Sequence, residues 1–274
     1  MKRRRLLFAL TFSTTLAITA IAGCSNQETT ATDEGDSAGA SKTLVMATSP
    51  DYPPYEFFET AGGEGEPIGF DIDIAKYITE QLGYELEVSG MDFNGIIPAL
   101  QSERADFAMA GMTPTEERKQ NVDFSDIYYE AKNTIVTKKG AGFDGFKALK
   151  GKSVGVQLGA TQQEAAQKAS EEIGGFNIEP RNRISELIQE VKAGRIDAAV
   201  VEDTVAKGYI QNNPDLEFTT VENAEAAGSA IAFPQGSELT AEFNQVLEEM
   251  KANGEMEKLI QKWFEEYYEQ QGQQ

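Results

Sequence analysis

The sequence predicts an α/β protein built as two lobes around a cleft, and three observations predict it. From Lys42 onward, short β-rich runs alternate with segments whose apolar residues recur at helical spacing. The alternation falls into two series, one ending near Ala110 and one beginning at Ser153. Each series also holds a similar unit: residues 96–111 (IIPALQSERADFAMAG) and 187–202 (LIQEVKAGRIDAAVVE) both read as an amphipathic helix, an Arg-x-Asp turn and an apolar strand. Repeated βα units build parallel sheet covered by helices. With 274 residues, 40% of them apolar, the chain can bury two such cores.

The chain opens on an export signal rather than on a folded element. Lys2-Arg3-Arg4-Arg5 is a positive start, Leu6 to Ala22 is an apolar run, and Ile21-Ala22-Gly23-Cys24 is a small-residue ending. That ending resembles a bacterial lipobox, so residues 1–23 are expected to be a lipoprotein signal peptide. Cys24 would then carry a diacylglyceryl group. The competing reading is a short membrane anchor with an incidental cysteine. Residues 24–41 are small and polar, bury no core, and read as a flexible tether.

A β-rich run at 43–48 opens the fold, followed by a helix over 71–82 with Ile74, Tyr77, Ile78 and Leu82 on one face. Next come a strand at 84–89, a helix at 94–103 and a strand at 106–110. The second series runs strand 153–157, helix 161–172, strand 176–179, helix 184–193, strand 197–201 and helix 203–212. Two helices close the chain, 237–252 and 254–268, with Asn253-Gly254 as the break. Gly62-Gly63-Glu64-Gly65 lacks the lysine and the following helix of a phosphate loop and reads as a hairpin turn.

Composition removes several function classes. The absence of histidine excludes His-based triads and the commonest zinc ligand. One cysteine supports neither a disulfide framework nor a thiolate cluster. A formal charge of −21, about −25 once Lys2 to Arg5 leave with the signal, is the wrong sign for a nucleic-acid surface. No metal or cofactor is implied. Within the fold, ligands of open α/β sheets bind beyond the carboxyl ends of the strands. The two echoing units share four of sixteen positions, including Arg104/Arg195 and Asp106/Asp197. They put Gly111–Thr113 at one strand end and Glu202 at the other, where both would line a cleft between facing lobes.

The motifs TSPDYPPYEF (48–57), IGFDIDIAKYI (68–78), MDFNGIIPAL (91–100), GMTPTEERKQNVDFSDIYY (111–129), GKSVGVQLGATQQE (151–164) and DAAVVED (197–203) cover nearly all of the chain beyond the tether. In this order they resemble the extracellular solute-binding proteins, family 3, of polar amino-acid ABC importers. With RNRIS and AGSAIAF added, the chain is similar to the arginine-binding lipoproteins of Gram-positive bacteria. The resemblance implies a two-lobed periplasmic-binding-protein-like (type II) fold with a ligand cleft at a two-segment hinge. Lobe 1 would be 42–130 and 228–274, and lobe 2 would be 131–227. It further implies a non-enzymatic monomer held at the extracellular face of the cell membrane by lipid on Cys24. Such a protein captures a free L-amino acid, arginine favoured, and delivers it to an ABC permease and its ATPase.

Carried over residue by residue, the resemblance implies a zwitterion clamp. Arg118 would grip the ligand carboxylate through a planar guanidinium, with backbone amides of Thr113 and Thr161 as further donors. Glu202 would accept the ammonium, where the family often has Asp, together with the Gly111 carbonyl and the Thr113 hydroxyl. Ala110 and Gly111 stand where some relatives have serines. Tyr52 and Phe93 match the aromatic positions that sandwich the ligand side chain. Asp51, Glu56 and Asp92 are expected partners for a basic side chain, Ser49 stands where relatives often carry Asp, and Gln157 is a further contact from the second lobe. Three alternatives remain open: a binding protein for glutamine or cystine, a receptor that signals without transport, and a cyclohexadienyl dehydratase-like lyase on the same scaffold.

Overall fold

Two five-stranded sheets of one shared topology organise residues 42–59, 65–221 and 227–271, which the computed structural model describes. The expected signal peptide, the tether, Cys24 and all but the last residue of the turn at Gly62–Gly65 lie outside the described residues. Phe57 and Ile68, on either side of that turn, are joined by an isolated antiparallel bridge.

The first part of the chain runs β1 (Thr43–Thr48), β2 (Asp51–Tyr52), β3 (Glu56–Phe57), α1 (Phe70–Leu82), β4 (Glu85–Gly90), α2 (Ile96–Gln101), β5 (Phe107–Ala108), α3 (Glu116–Lys119) and β6 (Asp123–Phe124). The chain then passes along β7 (Tyr129–Ala131) into β8 (Asn133–Lys138), β9 (Ser153–Gln157), α4 (Thr161–Ile173), β10 (Asn177–Arg181), α5 (Ile184–Ala193), β11 (Ala198–Glu202), α6 (Asp203–Gln211) and β12 (Leu216–Thr220). It returns through β13 (Ala227–Ser229) to β14 (Ala232–Phe233), α7 (Leu239–Asn253), α8 (Glu255–Ile260) and α9 (Tyr267–Gln271). The predicted βα elements stand within a few residues of these positions.

The sheets are ordered β4-β1-β5-β14-β6 and β10-β9-β11-β8-β12. The sequence predicts parallel sheet, and the βα units do pair in parallel: β1 with β4 and β5, and β9 with β10 and β11. One strand in the fourth place of each sheet runs against its neighbours, β14 in the first and β8 in the second. Both are the strands by which the chain enters a sheet after crossing from the other, so neither belongs to a βα unit. The crossing segments β7 and β13 pair antiparallel, Ala131 opposite Ala227 and Tyr129 opposite Ser229.

The shared topology explains the sequence echo. Asp106 accepts the Val45 N–H of β1 at 2.8 Å, and Asp197 accepts the Ser153 N–H of β9 at 2.9 Å. Each Arg-x-Asp turn therefore satisfies the free amide of the strand beside it, a group that would be costly to bury unpaired. Beyond Asp106 the expected strand shortens to Phe107–Ala108, because the chain turns into a left-handed conformation at Gly111 (φ 54°).

Apolar faces close the layers. Ile74 and Ile78 of α1 pack with Phe243, Leu247 and Met250 of α7 against the first sheet, and Leu187, Ile188 and Val191 of α5 cover the second. Each such side chain contributes about 1.5–3 kcal/mol when fully buried. Gly254 (φ 83°) ends α7 at the predicted break. The last helix departs from the expected single α-helix: Gln261–Glu266 is π-helical. The wider turn accompanies an inward Trp263, whose indole N–H reaches Asp73 at 2.8 Å, and a Phe264 stacked on Tyr129 with centroids 4.2 Å apart.

Candidate ligand-binding site

Strand ends from both sheets meet at one pocket, lined by Tyr52, Phe93, Ala110, Gly111, Thr113, Arg118, Gln157, Ala160, Thr161, Gln162 and Glu202. Eight of the expected contacts are thus brought together: Tyr52, Phe93, Gly111, Thr113, Arg118, Gln157, Thr161 and Glu202. Gly111 and Thr113 follow β5, Gln157 ends β9 and Glu202 ends β11. These are the carboxyl ends at which α/β sheets take ligands.

Arg118 is the cation of the pocket. Its short helix is fixed by Thr115, whose hydroxyl oxygen accepts the Arg118 N–H at 3.2 Å. The guanidinium is buried, donates to the Thr113 carbonyl at 2.8 Å and the Gly159 carbonyl at 2.9 Å, and lies 5.3 Å from the Phe93 ring centroid. Burial draws its pKa down, while Glu164 and Glu117 oppose that. Five N–H groups on a guanidinium leave three beyond these two bonds.

Glu202 is the anion. It is 2% exposed, and its Oε2 has no hydrogen-bond partner. Burial pushes its pKa up to about 8, against hydrogen bonds from the Tyr55 and Tyr52 hydroxyls that favour the charged form. Tyr52 and Tyr55 stack at 5.5 Å. A carboxylate buried beside no cation calls for a positively charged partner.

Backbone geometry shapes the remaining wall. The Gly111 N–H donates to Asp71 at 3.1 Å, and Asp71, itself fully buried, also accepts the Tyr128 hydroxyl at 2.9 Å. Burial lifts Asp71 to about 6. A Cβ on residue 111 would sit 2.8 Å from Tyr52 Cε1, so only glycine leaves that ring in place. Thr161 opens the 13-residue α4, whose first-turn amides have no partner within the helix.

The acids expected to read a basic side chain stand elsewhere. Ser49 and Asp51 are not among the lining residues. Ser49 Oγ lies 3.4 Å from Asp51 Oδ1, while Asp51 Oδ2 accepts both the N–H and the hydroxyl of Ser185, at 3.1 and 3.3 Å. Asp92 accepts from Asn182 at 3.0 Å and from Arg183 at 3.1 Å. Glu56 is fully buried next to Asp71, and its pKa is driven well up by burial, with Asp71 adding to the rise. Ala160 and Gln162 line the pocket unpredicted. The signal for them was the start of α4 in GATQQ, where the residues flanking Thr161 face the same strand ends. Gln162 donates to Asn133 at 2.9 Å and Gln157 to the Asn182 carbonyl at 3.3 Å, and each amide keeps an oxygen as an acceptor.

The family model of the bacterial extracellular solute-binding proteins, family 3, matches residues 44–266. The arginine-binding extracellular protein ArtP of Bacillus subtilis (strain 168) is 50% identical over 249 residues, which is 89% of this chain and 95% of that protein. Among solved structures, an ancestral arginine-binding protein bound to arginine matches with a TM-score of 0.75 at 43% identity, covering 81% of this chain and 98% of the other. An ancestral arginine-binding protein bound to glutamine matches at 0.76 and 43%, covering 82% and 99%.

Proposed function

Because the chain belongs to family 3 of the bacterial extracellular solute-binding proteins, we propose that it is the amino-acid-binding subunit of an ABC importer and that arginine is its preferred ligand. The observation that carries this reading is a single pocket holding one buried cation, Arg118, and one buried carboxylate, Glu202, the latter without a cationic partner among the described residues. A zwitterion matches that pair: its carboxylate takes the free guanidinium donors and the Thr161 amide, and its ammonium takes Glu202. The side chain then runs between Tyr52 and Phe93, whose faces suit a flat guanidinium. The amide oxygens of Gln157 and Gln162 serve as acceptors. Similarity to arginine-binding relatives supports the same choice.

The paired crossing segments β7 and β13 act as the hinge between a lobe of residues 42–130 with 228–274 and a lobe of 131–227. Closure around the ligand presents it to the permease. The lipid on Cys24 holds the monomeric protein outside the membrane after residues 1–23 are removed. The protein binds without turnover, since a carboxylate that clamps the ammonium is not free as a general acid.

A thermal-shift screen of the twenty amino acids plus ornithine and citrulline tests the reading, because a ligand of the folded state raises the unfolding temperature by mass action. The largest shift is expected with arginine. No shift with any amino acid overturns the proposal.

A further inference from the structure

We infer that Asp51 is a closure residue: it caps helix α5 from the opposite sheet layer and, with Asp92, clasps residues 182–185 when the two halves meet, setting ligand affinity without touching ligand. The inference builds on the amino-acid-binding reading above.

Asp51 opens β2, beside the first sheet, whereas Ser185 lies in the first turn of α5, which packs on the second. The first amides of a helix need an outside acceptor. The residue before α5 is Arg183, whose side chain carries donors only and cannot cap. Asp51 Oδ2 takes that place, accepting the Ser185 N–H at 3.1 Å and its hydroxyl at 3.3 Å. The Asp51 carbonyl is engaged from the same side: the Tyr209 hydroxyl of α6 donates to it at 2.7 Å. Asp92 supplies a second grip on the same stretch, accepting from Asn182 at 3.0 Å and from Arg183 Nε at 3.1 Å. Two carboxylates from one half thus hold three residues within the stretch 182–185 of the other, Asn182, Arg183 and Ser185, and none of Asp51, Asp92, Asn182, Arg183, Ser185 or Tyr209 lines the pocket.

Bonds made only when the halves meet stabilise the closed form alone, and opening removes the acceptor of the Ser185 N–H while Glu186 still accepts the Arg183 N–H at 3.3 Å. Apparent affinity scales with the population of the binding-competent form. Removing the clasp therefore weakens binding through faster release, although every pocket contact remains.

The test uses the full chain with Cys24→Ser and dyes on Lys76→Cys and Lys168→Cys, both exposed positions, on α1 and α4. Single-molecule energy transfer reads the closed-to-open ratio with and without arginine, and stopped-flow reads arginine release. Asp51→Ala is expected to lower the ratio and raise the release rate by the same factor, about five- to twentyfold, with association unchanged. Asp51→Asn, which keeps a capping oxygen, should restore most of both. Asp92→Ala and Tyr209→Phe should act in the same direction. If Asp51→Ala changes neither quantity, or only lowers the unfolding temperature, the clasp is overturned. A wild-type chain that binds no arginine overturns the functional reading instead, and the energy-transfer ratio still decides the clasp.

Discussion

At the scale of single residues, the proposed clamp rests on Arg118 and Glu202, and each makes a separate demand. Arg118→Ala leaves a bound carboxylate without its cation in a buried site. Breaking such a pair from one side costs about 3–5 kcal/mol, or roughly two to four decades in affinity. Calorimetry on the variant should find arginine binding lost with the fold retained, and near-normal affinity would remove Arg118 from the clamp. Glu202 predicts a pH dependence. Its pKa stands at about 8 in the ligand-free fold against an ordinary 4.5, so the folded protein holds a proton that the unfolded chain gives up. The stability tied to that proton is present below 4.5 and is lost as pH rises through about 8; Asp71 loses its share by about 6. Ligand-free unfolding temperature should therefore fall from about pH 5 to 8, and Glu202→Gln should flatten the upper part of that fall. Arginine affinity should rise over the same upper range, because an ammonium favours the ionised carboxylate. A profile identical in the wild type and in Glu202→Gln would contradict this assignment.

At the scale of elements, the turn after β5 is the wall on which the aromatic side depends. Gly111→Ala puts a Cβ 2.8 Å from the Tyr52 ring at a φ of 54°. It should cost about 1–2 kcal/mol in a denaturation curve and weaken arginine binding at least tenfold by displacing Tyr52. Gly140→Ala is the control: its φ is 80° with open space around it, so it should cost stability but leave binding unchanged. Equal binding loss in both variants would show that Gly111 acts through general strain rather than through the ring. The βα units were legible from period alone, since apolar spacing reports which face a helix or strand buries. The π-helical turn at Gln261–Glu266 was not, because it accompanies contacts of Trp263 and Phe264 with Asp73 and Tyr129, residues well over a hundred positions away. The same limit applies to Asp51. Its carboxylate reads as a pocket acid beside Tyr52, but its partner is Ser185, 134 residues on, and only the packing of α5 brings the two together. The strand-end place of Glu202 was legible from the echoing βα units, whereas the place of Arg118 in the pocket came only with the family resemblance. Gln162 was hidden behind Thr161, the more obvious donor in the same turn.

For the whole molecule, two sheets of one topology, joined by paired crossings, bring the two charges of the pocket together, Glu202 from the end of β11 and Arg118 from the short helix α3. A net charge of −21 draws cationic amino acids of every kind toward it and does not choose among them. Choice falls to the pocket wall. Since Asp51, Glu56 and Asp92 are not on it, the margin of arginine over a neutral amino acid rests on ring stacking and on the amide oxygens of Gln157 and Gln162. A cation over aromatic faces is worth about 0.5–2 kcal/mol, which puts that margin near tenfold. Calorimetric titration of arginine into the full chain, repeated with glutamine as competitor, tests the central claim most directly. One arginine should bind per chain, with glutamine displacing it only at about tenfold or greater excess. Displacement at equal concentration would contradict the arginine preference, and the absence of binding by either would contradict the zwitterion clamp itself.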